Sequence, residues 1–153
     1  GPAMRKRLTS LRGERAGNAA MELALLASPL ILLLVGIADY GSATYRNMQV
    51  QHAAQAGAEY AIKNGFSSSA IATAVTGATS YSGIAATPAP AQSCGCASGT
   101  TINSATCGST CAGGAAAGTY VTVSAQATYS TLIPYPGIPN SFALTAAATV
   151  RLQ

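Results

Sequence analysis

The longest apolar run in the chain lies near its N-terminus, from Asn18 to Ala38, and Glu22 is its only charged residue. As an α-helix this run is about 31 Å long, enough to cross a bilayer core of about 30 Å. Pro29 is compatible with such a helix, because neighbouring groups in a membrane satisfy the carbonyl that a proline leaves free. The pattern therefore predicts a helix that spans a membrane.

The helical pattern continues beyond the apolar run. It contains no further proline, and the pair Asn64-Gly65 is a favourable helix stop, so one helix about 70 Å long is predicted over 18–64. A second, shorter helix is predicted at 68–79, with Ser67 as its N-cap. On the outer half of the long helix, a spacing of three to five residues predicts one buried stripe. Its predicted members are Tyr45, Met48, Ala53, Ala56, Tyr60 and Lys63. The small residues Ala53, Ala54, Ala56, Gly57 and Ala58 are expected to allow close approach by a sheet or another helix.

Two C-terminal segments, 119–130 and 141–152, alternate between apolar and polar residues, as half-buried strands do. The predicted inward residues are Val121, Val123, Ala125, Ala127 and Tyr129 in the first segment, and Phe142, Leu144, Ala146, Ala148, Val150 and Leu152 in the second. The link 131–140 holds three prolines and a glycine, so we expect an antiparallel pair with a prominent loop. Two strands alone are marginal in water, so we expect them to pack on the long helix. The proline- and alanine-rich segment 82–93 is predicted to be a loop or an extended connector.

Four cysteines precede the first of these strands: Cys94, Cys96, Cys107 and Cys111. An even number in a small domain beyond a membrane span indicates two disulfides. A bond between Cys94 and Cys96 is too local for relaxed geometry, so each is expected to pair with Cys107 or Cys111, and both pairings remain open. A four-cysteine zinc site usually has C-x₂-C spacing, whereas the spacings here are C-x-C and C-x₃-C, which favours disulfides over a metal site.

Charge is scarce and unevenly placed. Only 8% of the residues are charged, against about 25% in an average soluble domain. Five basic residues and Glu14 before Gly17 give the whole net charge of +4, and the later charges cancel. A nucleic-acid surface needs basic residues spread over a folded face, so no nucleic-acid partner is expected. A basic segment before an apolar run instead places the N-terminus in the cytoplasm and the C-terminal part outside the inner membrane.

No constellation of catalytic residues is recognisable in the sequence. His52 is the only histidine, and outside the leader and span the acidic residues are Asp39 and Glu59. No phosphate loop or nucleophile motif occurs, and no acid or histidine lies near the cysteines in sequence. We therefore expect a protein that is not an enzyme and that has no cofactor.

The order of residues around Gly17 resembles a prepilin leader: basic residues, then Gly17, Asn18-Ala19-Ala20-Met21, Glu22 and an apolar run. The resemblance implies that a membrane peptidase cuts between Gly17 and Asn18. The new α-amino group would then lie near the Glu22 carboxylate of its own or a neighbouring subunit. At about 4 Å and an effective dielectric near 20, such a pair attracts by roughly 4 kcal/mol. This is comparable to the roughly 2.5–3.5 kcal/mol that a carboxylate costs inside a bilayer. A simple anchor or a secretory signal leaves Glu22 unexplained.

More narrowly, "RAGNAAMELALLASPLILLLVGIADYG", the cysteine cluster and the closing "ATVRLQ" resemble TadE-like pseudopilins of the tight-adherence (Tad/Flp) type IV pilus. The family implies an α+β, pilin-like fold, in which a long N-terminal transmembrane helix packs against a small antiparallel β-sheet with a disulfide-stapled loop. On this reading, residues 1–17 are a tag remnant and the leader, 18–64 are the long helix with its span at 18–38, and 65–153 form the extracytoplasmic head. Leu23 stands where the major pilins typically have tyrosine, which argues against the major subunit but leaves TadE-like and TadF-like roles open.

The function implied by the resemblance is that of a minor pilin required for priming or capping a pilus used in surface adhesion. The implied partners are the prepilin peptidase, another pseudopilin, the major pilin and the inner-membrane assembly platform. The alternative is a permanently anchored adhesive or binding domain with a disulfide-stapled ectodomain, in which Glu22 would be dispensable.

Overall fold

In a computed structural model, the described residues form two helices and one four-stranded antiparallel sheet. The structure describes residues 2–152, and side chains for residues 17–152. The elements are α1 (Pro2–Asn64), α2 (Ser68–Thr76), β1 (Ala91–Ser98), β2 (Thr101–Ser104), β3 (Gly118–Ser130) and β4 (Ser141–Arg151). The strand order is β2-β1-β3-β4. The long apolar helix followed by a small antiparallel sheet confirms the predicted α+β class.

The chain divides into two compact units, residues 1–41 and residues 42–153. The described part of the N-terminal unit is helical throughout and belongs to α1. The C-terminal unit contains the rest of α1, together with α2 and the sheet. Helix α1 ends at Asn64, as the Asn-Gly pair predicts, and Gly65 follows with φ of +82°.

In the C-terminal unit, α1 buries a stripe of small residues against the sheet and α2. This stripe comprises Val50, Ala53, Ala54, Gly57, Ala58 and Ala61. The stripe predicted from the sequence was wrong at three positions, because Tyr45, Met48 and Lys63 are exposed. Large side chains are absent from the buried face because β3 and α2 approach α1 closely there. A Cβ atom on Gly57 would lie 2.6 Å from both Val123 Cγ1 and Val75 Cγ2, so large side chains do not fit on this face.

The hydrophobic core is built around strand β3. All five residues predicted to face inward on this strand are buried, as is Tyr120. Four of them, Val121, Val123, Ala125 and Ala127, belong to one core cluster with the small stripe of α1, Ile71 and Val75 of α2, and Ile84. The predicted inward residues of β4 are only half-buried, because β4 lies at an edge of the sheet. Strands β3 and β4 form the predicted antiparallel pair, from Tyr120↔Arg151 to Ser130↔Ser141.

Strand β3 runs antiparallel to α1. Gly57 meets Val123, whereas Arg46 stacks on Tyr81, whose hydroxyl donates a hydrogen bond to the Thr128 carbonyl. Arg46 precedes Gly57 by eleven residues, about 16 Å of helix, and Thr128 follows Val123 by five residues, about 17 Å of strand. The distance along the helix therefore matches the distance along the strand, as expected for two elements that run side by side in opposite directions. We call the end of the C-terminal unit marked by Arg46 and Thr128 the entry end, because α1 enters the unit there.

Strands β1 and β2 were not predicted from the sequence. Part of the segment predicted as a loop or an extended connector, from Ala91, is strand β1, which pairs with β3 from Ala91↔Thr122 to Gly95↔Gly118 and also with β2. Its alanine, glycine, serine and cysteine residues have weak intrinsic strand preference, so pairing with its neighbours determines its conformation. Helix α2 stops at Thr76, three residues earlier than predicted, where the Gly77 N–H donates to the Thr73 carbonyl and the Ala78 N–H donates to the Val75 carbonyl.

Candidate assembly site

Gly17 lies within α1, and its surroundings give no packing reason for a glycine. It is exposed, and a Cβ atom added to it would meet no described atom within 4 Å. Glycine inside a helix is less stable than alanine by about 0.5–1 kcal/mol. Gly36 and Gly41 also have nothing within 4 Å, in contrast to the tightly packed Gly57. The fold therefore does not account for the glycine at position 17.

Asn18 and Glu22 are both exposed and lie one helical turn apart on the same side of α1. Among residues 17–152, no group forms a hydrogen bond or ion pair with the Glu22 carboxylate. Its neighbours Met21 and Leu25 are 69% and 74% exposed. The structure therefore places an acidic group, without a partner in the described chain, on an apolar helix surface.

The apolar surface beyond Glu22 extends around the whole helix. Its large residues are each 54–74% exposed: Met21, Leu23, Leu25, Leu26, Leu30, Ile31, Leu32, Leu33, Leu34 and Ile37. Ser28 satisfies its hydroxyl within the helix by donating to the Ala24 carbonyl at 3.1 Å. A helix that is apolar on every side is typical of a membrane span or a buried core. This helix is long and apolar enough to cross a membrane.

Two disulfides join β1 to the segment between β2 and β3, which confirms the prediction of two bridges. The structure pairs Cys94 with Cys107 and Cys96 with Cys111, at Cα separations of 5.1 and 5.7 Å. Residues two apart on a strand point to the same face, so both bridges leave one face of β1. Gly95 between them allows β2 to approach, because a Cβ atom there would lie 2.6 Å from Ile102 Cγ2.

The segment between β2 and β3, which these disulfides attach to β1, is also held by hydrogen bonds within its own backbone. The Cys111 N–H donates to the Ala115 carbonyl at 2.7 Å, and the Ala117 N–H donates to the Ser109 carbonyl at 2.8 Å. Among the described residues, no group of three or more potential metal-binding side chains occurs, and His52 is exposed on α1. The cysteines therefore form structural disulfides that fix the segment between β2 and β3 to β1.

Two features that support the site were not predicted from the sequence. One is the close approach at Gly95, although a glycine between two strand cysteines signals it. The other is the contact between Arg46 and Tyr81, which joins α1 to the segment before β1. The predicted close approach to the small residues of α1 is confirmed at Gly57.

A comparison with known protein families gives a match to the segment that contains Gly17, Glu22 and the apolar run. A family model described as "TadE-like protein" matches residues 17–59, beginning at Gly17 and including Glu22 and the whole apolar run. No curated protein and no solved structure matches the chain. The TadE-like family is a structural, non-enzymatic kind of protein, and a match to it suggests an association with the Tad pilus. The resemblance seen in the sequence is confirmed over residues 17–59, the segment that the TadE-like family model matches.

Proposed function

We propose that the protein is a minor pilin, or pseudopilin, of a Tad-type pilus, that it is matured by cleavage between Gly17 and Asn18, and that Glu22 directs its assembly. The observation that carries the proposal is the arrangement at the start of the apolar helix. A glycine that packing does not require lies five residues before an acidic group with no partner among residues 17–152.

Cleavage would change the chemistry around Glu22. Hydrolysis of the bond after Gly17 leaves a carboxylate on the leader and an α-amino group on Asn18, and it removes the five basic residues that precede Gly17. The first N–H groups of the shortened helix lose their partners, and the positive end of the helix dipole moves to Asn18. Both effects favour a carboxylate at Glu22, one turn away.

Assembly would follow from the pairing of charges on adjacent subunits. An α-amino group and a carboxylate attract more strongly in an apolar bundle than in water, so the pair forms where helices pack together. The exposed apolar residues of α1 would be buried in the same contact. Gly36 and Gly41, which no described residue approaches, would allow a neighbouring helix to come close. The expected neighbours are another pseudopilin and the major pilin, delivered through the inner-membrane assembly platform.

The disulfides support the proposed location. They are typical of an oxidising compartment, which agrees with a C-terminal unit outside the inner membrane and a basic N-terminus inside. The protein would then move from the inner membrane to the pilus at the cell surface.

The test is the intact mass of the protein after co-expression with its cognate prepilin peptidase. The wild-type chain is expected to lose all residues through Gly17, and Gly17→Ala is expected to abolish this loss. The matched control is Gly36→Ala, which changes another helical glycine with nothing within 4 Å and should leave cleavage intact. An uncut wild-type chain, under conditions in which a known pilin is cut, would overturn the proposal in favour of an anchored adhesive domain.

A further inference from the structure

The loop between β3 and β4, residues 131–140, exposes two large apolar side chains. Leu132 is 61% exposed and Ile138 is 52% exposed. The loop contains no charged residue, and between residues 64 and 150 the chain has none at all. The loop is therefore a neutral part of the C-terminal unit that exposes two large apolar side chains.

Backbone hydrogen bonds hold this loop at its base and at its tip. At its base, the Thr131 N–H donates to the Asn140 carbonyl at 2.9 Å. At its tip, Pro136 and Gly137 occupy the centre of a turn in which the Ile138 N–H donates to the Tyr135 carbonyl at 3.3 Å. Gly137 has φ of +78°, as the third position of a type II turn requires. The loop thus presents its apolar side chains on an ordered frame.

The loop lies at the entry end of the C-terminal unit. It begins three residues beyond Thr128, which Tyr81 connects to Arg46 of α1. Along the chain, Ala38 precedes Arg46 by eight residues, about 12 Å of helix. If residues 18–38 span a bilayer, the surface of that bilayer is expected near the entry end.

We propose that the β3–β4 loop rests on the bilayer, with Leu132 and Ile138 in its interfacial layer. The inference rests on the proposal that residues 18–38 span the membrane. Two observations favour lipid as the partner: the loop lies at the entry end, where the chain connects the C-terminal unit to the apolar run, and it carries no charge that would hold it in water. Because it has no basic residue, the contact should not depend on anionic lipid.

The chain contains no tryptophan, so a single introduced tryptophan is a clean reporter. The full chain would be reconstituted in phosphatidylcholine vesicles with plain or brominated acyl chains, since bromine quenches indole fluorescence at close range. We expect Leu132→Trp to be blue-shifted and to lose most of its emission in brominated vesicles, with Ile138→Trp as a second reporter. The matched control is Ile62→Trp, at the far end of α1, where the replaced side chain is 59% exposed; it should keep its emission.

A third variant, Ile31→Trp, reports on the span itself, so the two proposals can fail separately. If Ile31→Trp is quenched while both loop variants are not, the loop does not contact lipid, whereas the span remains supported. A blue shift of the loop variants without bromine quenching would assign the loop to a protein partner and overturn the inference. An unquenched Ile31→Trp would overturn both proposals.

Discussion

The guanidinium carbon of Arg46 lies 4.2 Å from the centre of the Tyr81 ring. Arg46 also donates a hydrogen bond to the Gln49 side chain at 3.0 Å, and the Tyr81 hydroxyl donates to the Thr128 carbonyl at 3.0 Å. This contact joins α1, the segment before β1 and strand β3 at the entry end of the C-terminal unit. The contact therefore holds the C-terminal end of β3 close to the part of α1 that begins the C-terminal unit.

The first prediction separates the two halves of this contact. Tyr81→Phe keeps the ring under Arg46 but removes the hydrogen bond to Thr128, and should lower the free energy of unfolding by about 0.5–1.5 kcal/mol. Tyr81→Ala should cost more, because it also removes the stacked ring and a cation–π contact of about 0.5–1 kcal/mol. The measurement is denaturant unfolding of the full chain in detergent, followed by circular dichroism. Equal losses for the two variants would show that the ring contributes nothing.

The second prediction concerns the close packing at Gly57. Gly57→Ala should lower the free energy of unfolding by about 1–3 kcal/mol, because the added methyl group clashes with Val123 and Val75. The clash should outweigh the gain in helix propensity of up to about 1 kcal/mol. Gly41→Ala is the control, since nothing lies within 4 Å of its Cβ position, and it should be neutral or stabilising. The same unfolding assay would contradict the packing argument if both variants were stabilised.

The third prediction concerns the disulfides. Their sequence separations are 13 and 15 residues, and loops of this size correspond to about 3 kcal/mol of stabilisation each. The double variants Cys94→Ser/Cys107→Ser and Cys96→Ser/Cys111→Ser should therefore lose similar amounts of unfolding free energy. Peptide mass mapping without reduction should recover the two pairs found here. Recovery of Cys94 linked to Cys111 would contradict the pairing.

The fourth prediction tests the role of Glu22 separately from cleavage. Glu22→Gln should still be cut after Gly17, but its recovery in sheared pili should fall about tenfold or more, because a loss of only about 1.4 kcal/mol is tenfold in an equilibrium constant. Glu59→Gln changes another exposed glutamate of the same helix and serves as the matched control. Normal incorporation of Glu22→Gln would remove Glu22 from the assembly mechanism, whatever the result for cleavage.

Features with a local signal could be predicted from the sequence alone. The apolar run and the Asn-Gly helix stop predict the part of α1 from Asn18 to its end at Asn64, although α1 itself begins at Pro2. Strict alternation predicts strands β3 and β4, with the buried face of β3 and the half-buried face of β4. The even number of cysteines predicts two disulfides. The leader motif together with the apolar run resembles TadE-like proteins, and a TadE-like family model matches residues 17–59. Each of these signals is contained within a short segment of the chain.

The tertiary structure alone decided the rest, because the remaining choices depend on distant residues. Strand β1 has little intrinsic preference for its conformation and forms by pairing with β3 and β2. The buried face of α1 is the one whose side chains are small enough for Val123 and Val75 to approach, so spacing along the helix wrongly included Tyr45, Met48 and Lys63. Both cross-pairings of the cysteines close loops of similar length, and only the folding of the 105–117 segment against β1 brings Cys107 to Cys94 and Cys111 to Cys96.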